Sequence, residues 1–247
     1  SINPTVMTAY LEFNGQIVTF EVQNTSVSTG VSIKKTGGME FICGTFCGCR
    51  IVAAVCGEGK VNAAMCAQAM IMEYHPDFIV NTGVGGGLAE CLHIGDIVVA
   101  TSVVEHDMDM SPLGYERGYV CGTDCIYMEC DSEISKKLCR CVSNRGLSYI
   151  KGVVASGDQF ISSDDKKKWL VDTFNAVVCE MEGAAIGHVC IRNNVPFGVL
   201  RAVSDGGDDD AKLSFPEFAS MAAANSIRII SDFAESCAKT NSASAED

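Results

Sequence analysis

The sequence predicts an α/β domain built on a mainly parallel sheet with helices on both faces. Three observations predict it. Short β-branched apolar runs alternate with longer segments of helical period. Several of the runs are apolar throughout, as strands covered on both faces are. The runs end in glycine or in polar clusters, where a strand gives way to a turn. Strands alternating with helices pair in parallel across a covered sheet. No Pro/Ser-rich linker divides the chain and no internal repeat occurs, so residues 1–239 are assigned to one domain. The small, polar stretch 240–247 is expected to fray.

In chain order, Thr5–Leu11 reads as a strand and Gln16–Gln23 as a short helix. Glu40–Phe46 and Arg50–Val55 form a hairpin around Cys47-Gly48-Cys49. Val61–Tyr74 reads as a helix whose apolar stripe is made by Val61, Ala64, Met65, Met72 and the alanines. Phe78–Asn81 is a short buried strand that ends in Thr82-Gly83-Val84-Gly85-Gly86-Gly87. Ile97–Val104 is another strand; Asp131–Arg145 and Lys166–Phe174 are amphipathic helices. Gly152–Ala155 and Val177–Glu180 are strands, Gly183–Asn193 a helix, Phe197–Val203 a strand, and Phe215–Ser236 the last helix.

Composition narrows the function. Apolar residues make up 47% and charged residues 20%, enough to fill a core. A net charge of −13 repels phosphate backbones, which argues against nucleic acid as a partner. No apolar run approaches the ~20 residues that span a bilayer, and no signal-like segment is seen at Ser1, so a cytoplasmic protein is expected. The fourteen cysteines include no Cys-x-x-Cys pair and many lie inside apolar stretches, as reduced thiols acting as small hydrophobes do. His106-Asp107-Met108-Asp109 looks metal-like, but no second cluster of suitable spacing accompanies it, and no metal or other cofactor is expected.

Ligands of open α/β sheets lie beyond the carboxyl ends of the strands, and four such ends carry unusual chemistry. After Asn81 and Thr82, the glycines at 83 and 85–87 offer bare backbone that a ligand can approach closely; their spacing matches neither a dinucleotide fingerprint nor a P-loop. Glu180 and Glu182 are paired carboxylates that share a side if the chain stays extended. Arg201-Ala202-Val203-Ser204-Asp205 leads into glycines, placing an acid where it can donate a proton. Ser156-Gly157-Asp158-Gln159-Phe160-Ile161 offers a ring and backbone amides suited to a flat heterocycle.

Taken in order, Asn81-Thr82-Gly83…Gly86-Gly87, Gly95-Asp96-Ile97-Val98, His106-Asp107…Asp109, Gly114-Tyr115-Glu116, Ser156-Gly157-Asp158…Phe160-Ile161, Glu180-Met181-Glu182, Val195-Pro196-Phe197, Arg201-Ala202…Ser204-Asp205 and Leu213-Ser214-Phe215…Glu217-Phe218 resemble the purine nucleoside phosphorylase/uridine phosphorylase superfamily. Within it the set is most similar to the 5′-methylthioadenosine/S-adenosylhomocysteine nucleosidases, over about residues 40–235. The resemblance implies a three-layer α/β/α sandwich with a mainly parallel mixed sheet, a homodimer, and hydrolysis of the N-glycosidic bond of an adenine nucleoside. It implies Asp205 as the acid at adenine N7, helped by Ser204. Phe160 stacks on the base and Ile161 reads its edge. Glu182 holds the ribose hydroxyls next to Glu180, Met181 packs on the sugar, and Gly85 and Gly86 face sugar and base. Phe215, with Leu113 and Tyr115 of a second subunit, lines the 5′ pocket; Leu113 replaces the family's usual Phe.

The sequence departs from the family around the attacking water. Arg201 is kept, but Val84 stands at the serine position and has no hydroxyl to hold a water. Alignment puts Gln16 where the activating Glu belongs and Phe13 where a sugar-packing Met belongs. Glutamine orients a water but cannot take its proton. Glu58, in place of a usual apolar residue, is a candidate replacement, and Glu12 lies near. Two alternatives therefore stay open: a phosphate-dependent phosphorylase using Arg50, Arg117 and Arg201, or a nucleoside binder without catalysis.

Overall fold

The computed structural model describes residues 5–9, 28–46, 49–206 and 224–237. In chain order the elements are β1 (Thr5–Ala9), β2 (Ser28–Thr36), β3 (Met39–Phe46), β4 (Cys49–Ala54), α1 (Lys60–Tyr74), β5 (Ile79–Gly87) and β6 (Ile97–Glu105). They continue with β7 (Met128–Glu129), α2 (Ser132–Asn144), β8 (Tyr149–Ser156), α3 (Asp164–Phe174), β9 (Ala176–Glu180), α4 (Gly183–Arg192) and β10 (Phe197–Asp205). A last helix, α5, covers 224–237.

All ten strands join one mixed sheet. The pairs β1–β4, β1–β5, β5–β10, β6–β8 and β8–β9 are parallel; β2–β3–β4 form an antiparallel flank. Helices α1 and α4 pack together on one face, where Ala63, Cys66, Ala67 and Met70 meet Ala184, Ile186 and Cys190. On the other face Ile134, Leu138 and Val142 of α2 meet Ile229, Ile230 and Phe233 of α5. Strand β6 serves both faces by alternation, with Val98 and Ala100 in the first cluster and Ile97 and Val99 in the second. The described cysteines are free thiols. Among the described residues, no helix is long and apolar enough to cross a membrane.

Three local expectations are corrected. The glycine-rich segment after Asn81 is not a turn: β5 runs through to Gly87, buried at every position. There β9 pairs antiparallel with β5 at Gly86 and Gly87, while β10 pairs parallel with β5 along its length. Together with β10–β6, β6–β8 and β8–β9, this closes five strands into a ring rather than an open sheet. Gly85 permits the closure, because a Cβ there would lie 2.8 Å from Val178 Cγ2 and 2.9 Å from the Cys179 carbonyl.

The stripe read on the first long helix faces the wrong way. The buried residues of α1 are Ala63, Cys66, Ala67, Met70 and Ile71, whereas Val61 and Met72 are 69% and 67% exposed and Met65 is 49% exposed. The helix is apolar on both sides, so periodicity finds the helix and leaves the choice of face to the small side chains that fit against α4. Strand β2 was missed altogether. Its sequence, Ser-Thr-Gly-Val-Ser-Ile-Lys-Lys-Thr, is mostly polar, and Val31 and Ile33 are both exposed, so no apolar run announces it. The Gln16–Gln23 helix and the residues of Phe215–Ser236 before 224 lie outside the described residues.

Candidate active site

The ends of β5, β6, β8, β9 and β10 come together through their register. Asp205 pairs with Gly86, Gly86 with Cys179, Ser156 with Glu180 and Glu105 with Ser156. A β-bulge between Val203 and Asp205 re-aims the end of β10. Ser204 is fully buried and its hydroxyl donates to Asp205 Oδ2 at 2.8 Å, with the Gly85 carbonyl at 3.4 Å. Asp205 is itself 3% exposed.

A second group lies at the same edge. Arg201, the largest fully buried side chain among the described residues, donates through Nε to Glu180 Oε2 at 3.1 Å and through Nη2 to Glu180 and Asn81 Oδ1. The Ser156 hydroxyl donates to Glu180 Oε1, and the amides of Glu182 and Gly183 donate to Oε2 at 3.0 and 2.8 Å. These amides open α4, so the carboxylate also meets the positive end of a helix. Burial opposes the charge on Glu180, but Arg201, Ser156 and the Gly183 amide outweigh it and hold the carboxyl below the ordinary range. Both oxygens are engaged, so Glu180 and Arg201 act as an anchor for the strand ends.

Glu182 differs. It is the N-cap residue of α4; its carboxylate accepts from the Gly59 amide at 2.9 Å, and the Met181 backbone supplies a further hydrogen bond. Burial first, and the negative charge of Glu180 second, push its carboxyl up to about 7.

Phe160 is 47% exposed, Ile161 is buried and Met181 half-buried. Glu58 is exposed, and its carbonyl accepts from Asn62 Nδ2 at 2.8 Å. Leu113 and Tyr115 protrude from the segment after β6, and Tyr115 stacks on Tyr119 with centroids 4.9 Å apart. The Val84 side chain packs in the apolar cluster with Leu200 and Ala202. Phe13, Gln16, Glu12 and Phe215 lie outside the described residues.

A family model described as the phosphorylase superfamily matches residues 18–235. The chain belongs to that superfamily. Within it, the chain belongs to the 5′-methylthioadenosine/S-adenosylhomocysteine nucleosidase family. It is 38% identical over 181 residues to the nucleosidase of that name from Haemophilus influenzae, covering 73% of this chain and 79% of the relative. The Shewanella pealeana nucleosidase is 36% identical over 183 residues, with the same shares. The solved structure of the Neisseria meningitidis nucleosidase in complex with methylthio-immucillin-A is similar with a TM-score of 0.85 and 31% identity, covering 95% of this chain and 99% of that one.

Set in this nucleosidase family, the sequence-derived site is brought together at one edge for Gly85, Gly86, Glu180, Glu182, Arg201, Ser204 and Asp205. Reasoning from sequence missed Ser156 as a partner of Glu180. It also missed Lys60, whose Nζ pairs with Asp107 at 2.7 Å and Glu105 at 3.0 Å. The metal-like segment is engaged otherwise: Asp107 holds Lys60, Asp109 pairs with Arg117 at 2.7 Å, and His106 is buried beside Trp169. No group of three potential ligands that could hold a metal is found among the described residues.

Proposed function

We propose that the protein hydrolyses the N-glycosidic bond of adenine nucleosides of the 5′-methylthioadenosine/S-adenosylhomocysteine type, with Asp205 as the acid. The observation that carries this reading is the buried Ser204–Asp205 pair at the end of β10, in register with the bare backbone of Gly86 and on the same strand edge as Glu180. Loss of a purine leaves an oxocarbenium-like sugar and an electron-rich base. Asp205 hands a proton to N7 as the bond breaks, and Ser204 holds the carboxyl in line. Phe160 stacks on the base, Ile161 backbone groups read its edge, and Gly85 and Gly86 let base and sugar approach. Glu182 takes the ribose hydroxyls with Met181 beside the sugar, while Arg201 and Glu180 fix the strand ends that carry these groups.

Water, rather than phosphate, is the acceptor. Glu180, Glu182 and Asp205 make this edge acidic; of the three candidate arginines for a phosphate, Arg201 is engaged with Glu180 and Asn81 and Arg117 with Asp109, while Arg50 is exposed on β4 in the antiparallel flank. Glu58 is assigned the carboxylate that activates the water, since the next residue, Gly59, bonds to Glu182; Gln16 orients it. Phe13 and Phe215 complete the sugar and 5′ pockets.

The working unit is a homodimer, supported by the apolar side chains left exposed on α1 (Val61, Met65, Met72) and at Leu113 and Tyr115. Leu113 and Tyr115 then reach the second subunit's 5′ pocket. The protein works in the cytoplasm, where its free thiols stay reduced. The test is adenine release from methylthioadenosine and adenosylhomocysteine, alongside inosine and uridine, with and without phosphate. Release of adenine without phosphate is expected. Strict phosphate dependence, or tight binding without turnover, would overturn the reading.

A further inference from the structure

Two loops that bear on a bound nucleoside are joined by a closed ring of hydrogen bonds that takes in the Lys60–Asp107 pair. The Lys60 backbone amide, at the first turn of α1, donates to Asp158 Oδ1 at 2.7 Å. The Asp158 amide donates to Asp107 Oδ2 at 2.9 Å, and Lys60 Nζ returns to Asp107 Oδ1 at 2.7 Å. Lys60 also donates to Glu105 Oε2 at 3.0 Å, and the other oxygen of Glu105 lies 2.9 Å from His188 Nδ1 on α4. Gly59 fits the same arrangement: its φ is +88°, and a Cβ there would lie 2.9 Å from Asp158 Oδ1, so the carboxylate occupies the space of a side chain. Burial works against the charge on Lys60, yet the Asp107 and Glu105 bonds outweigh it and leave the ammonium harder to deprotonate than usual.

The placement of the ring gives it a purpose. One residue before Lys60, the Gly59 amide holds Glu182; two residues after Asp158 stands Phe160. We infer that Lys60, Asp107 and Asp158 are positioning residues that lock the sugar-side loop (57–60) to the base-side loop (157–161), so that the Glu182 carboxylate and the Phe160 ring hold one fixed separation. This rests on the reading of Glu182 and Phe160 as nucleoside contacts. Contacts made equally in the ground and transition states act on KM, whereas an interaction confined to the transition state acts on kcat. A lock on two ground-state contacts therefore acts mainly on KM.

The test uses the full chain with Asp158→Ala, Asp158→Asn, Lys60→Met and the double variant Lys60→Met/Asp158→Ala. Asp158 is exposed, so its variants keep the fold. Expected for methylthioadenosine cleavage is a KM raised ~10-fold in Asp158→Ala and in Lys60→Met with kcat within ~3-fold, and ~10–20-fold in the double variant, because one ring breaks only once. Asp158→Asn, whose amide oxygen still accepts from Lys60, restores KM to within ~3-fold of the parent. Unchanged KM, a loss confined to kcat, or a fully multiplicative double variant overturns the inference. Hydrogen exchange on the ligand-free protein provides an arm independent of activity. Asp158→Ala is expected to speed exchange in both 57–61 and 157–161, and faster exchange in 157–161 alone overturns the lock. A parent protein that releases no adenine defeats the proposed function, and the exchange result then still decides the lock.

Discussion

Glu180 and Glu182 are the same residue type two positions apart, and the fold gives them opposite properties. Glu180 ends β9, where Arg201, Ser156 and the α4 amides meet its two oxygens and keep it ionised. Glu182 has left the strand, sits at the N-cap of α4 in a different backbone conformation, and is met by the backbone of Gly59 and Met181 rather than by a paired arginine. Its burial first, and then the charge of Glu180, push its carboxyl up to about 7. The difference teaches that charge at a strand end does not itself mark a ligand contact. A carboxylate paired with a buried arginine holds the architecture; in the proposed function, the one without such a partner and kept at the edge of ionisation meets the ligand.

Breaking the anchor gives the largest effect on stability. Glu180→Gln leaves the buried Arg201 without its counter-charge, which costs ~3–5 kcal/mol, and a Tm drop of roughly 10 °C in a calorimetric scan is expected. A Tm within a degree or two of the parent would mean the pair is not an anchor. Next comes Glu182→Gln, expected to keep the fold and lower kcat/KM for methylthioadenosine by ~10²-fold through lost ribose contacts. Loss of stability with intact kinetics would exchange the roles of the two residues.

The pH dependence sharpens the same contrast. Glu182 is raised from 4.5 to about 7 in the folded protein, so the native state binds a proton that the unfolded chain has released. Its stabilising contribution is present at acid pH and is lost as pH rises through that interval. The Tm of Glu182→Gln relative to the parent is therefore expected to be near zero at pH 5 and positive at pH 8. The ionised form accepts ribose hydroxyls, so KM of the parent rises toward tenfold per pH unit below about 7. Flat KM and an unchanging Tm difference would contradict the assignment. The smallest effect on the subunit itself is expected of Met72→Glu on the exposed side of α1: monomers in sedimentation, with subunit Tm shifted by no more than about a degree. A persistent dimer would move the contact elsewhere.

Much of this molecule was legible in its sequence, and what was not has identifiable causes. Apart from β2 and β7, the described order of strands and helices followed from apolar runs and periods, and the strand-end rule put Gly85, Glu180, Arg201 and Asp205 in one place. Periodicity could not choose between two apolar faces of α1, because the decision lies in how alanines and Cys66 fit α4. Nor could it reveal the closure of β5 with β9 and β10, which needs a glycine exactly where a side chain would strike Val178. The Arg201–Glu180 pair could not be read from the sequence, because its two members lie 21 positions apart in the chain. The Lys60 ring spans 98 positions, from an ordinary-looking helix start to an ordinary-looking loop, and no local pattern signals it.

The most direct measurement is single-turnover adenine release from methylthioadenosine by Asp205→Asn, with nucleoside binding followed in parallel. Proton delivery to N7 predicts a rate ~10²–10⁴-fold below the parent with binding retained. Release at the parent's rate would contradict it.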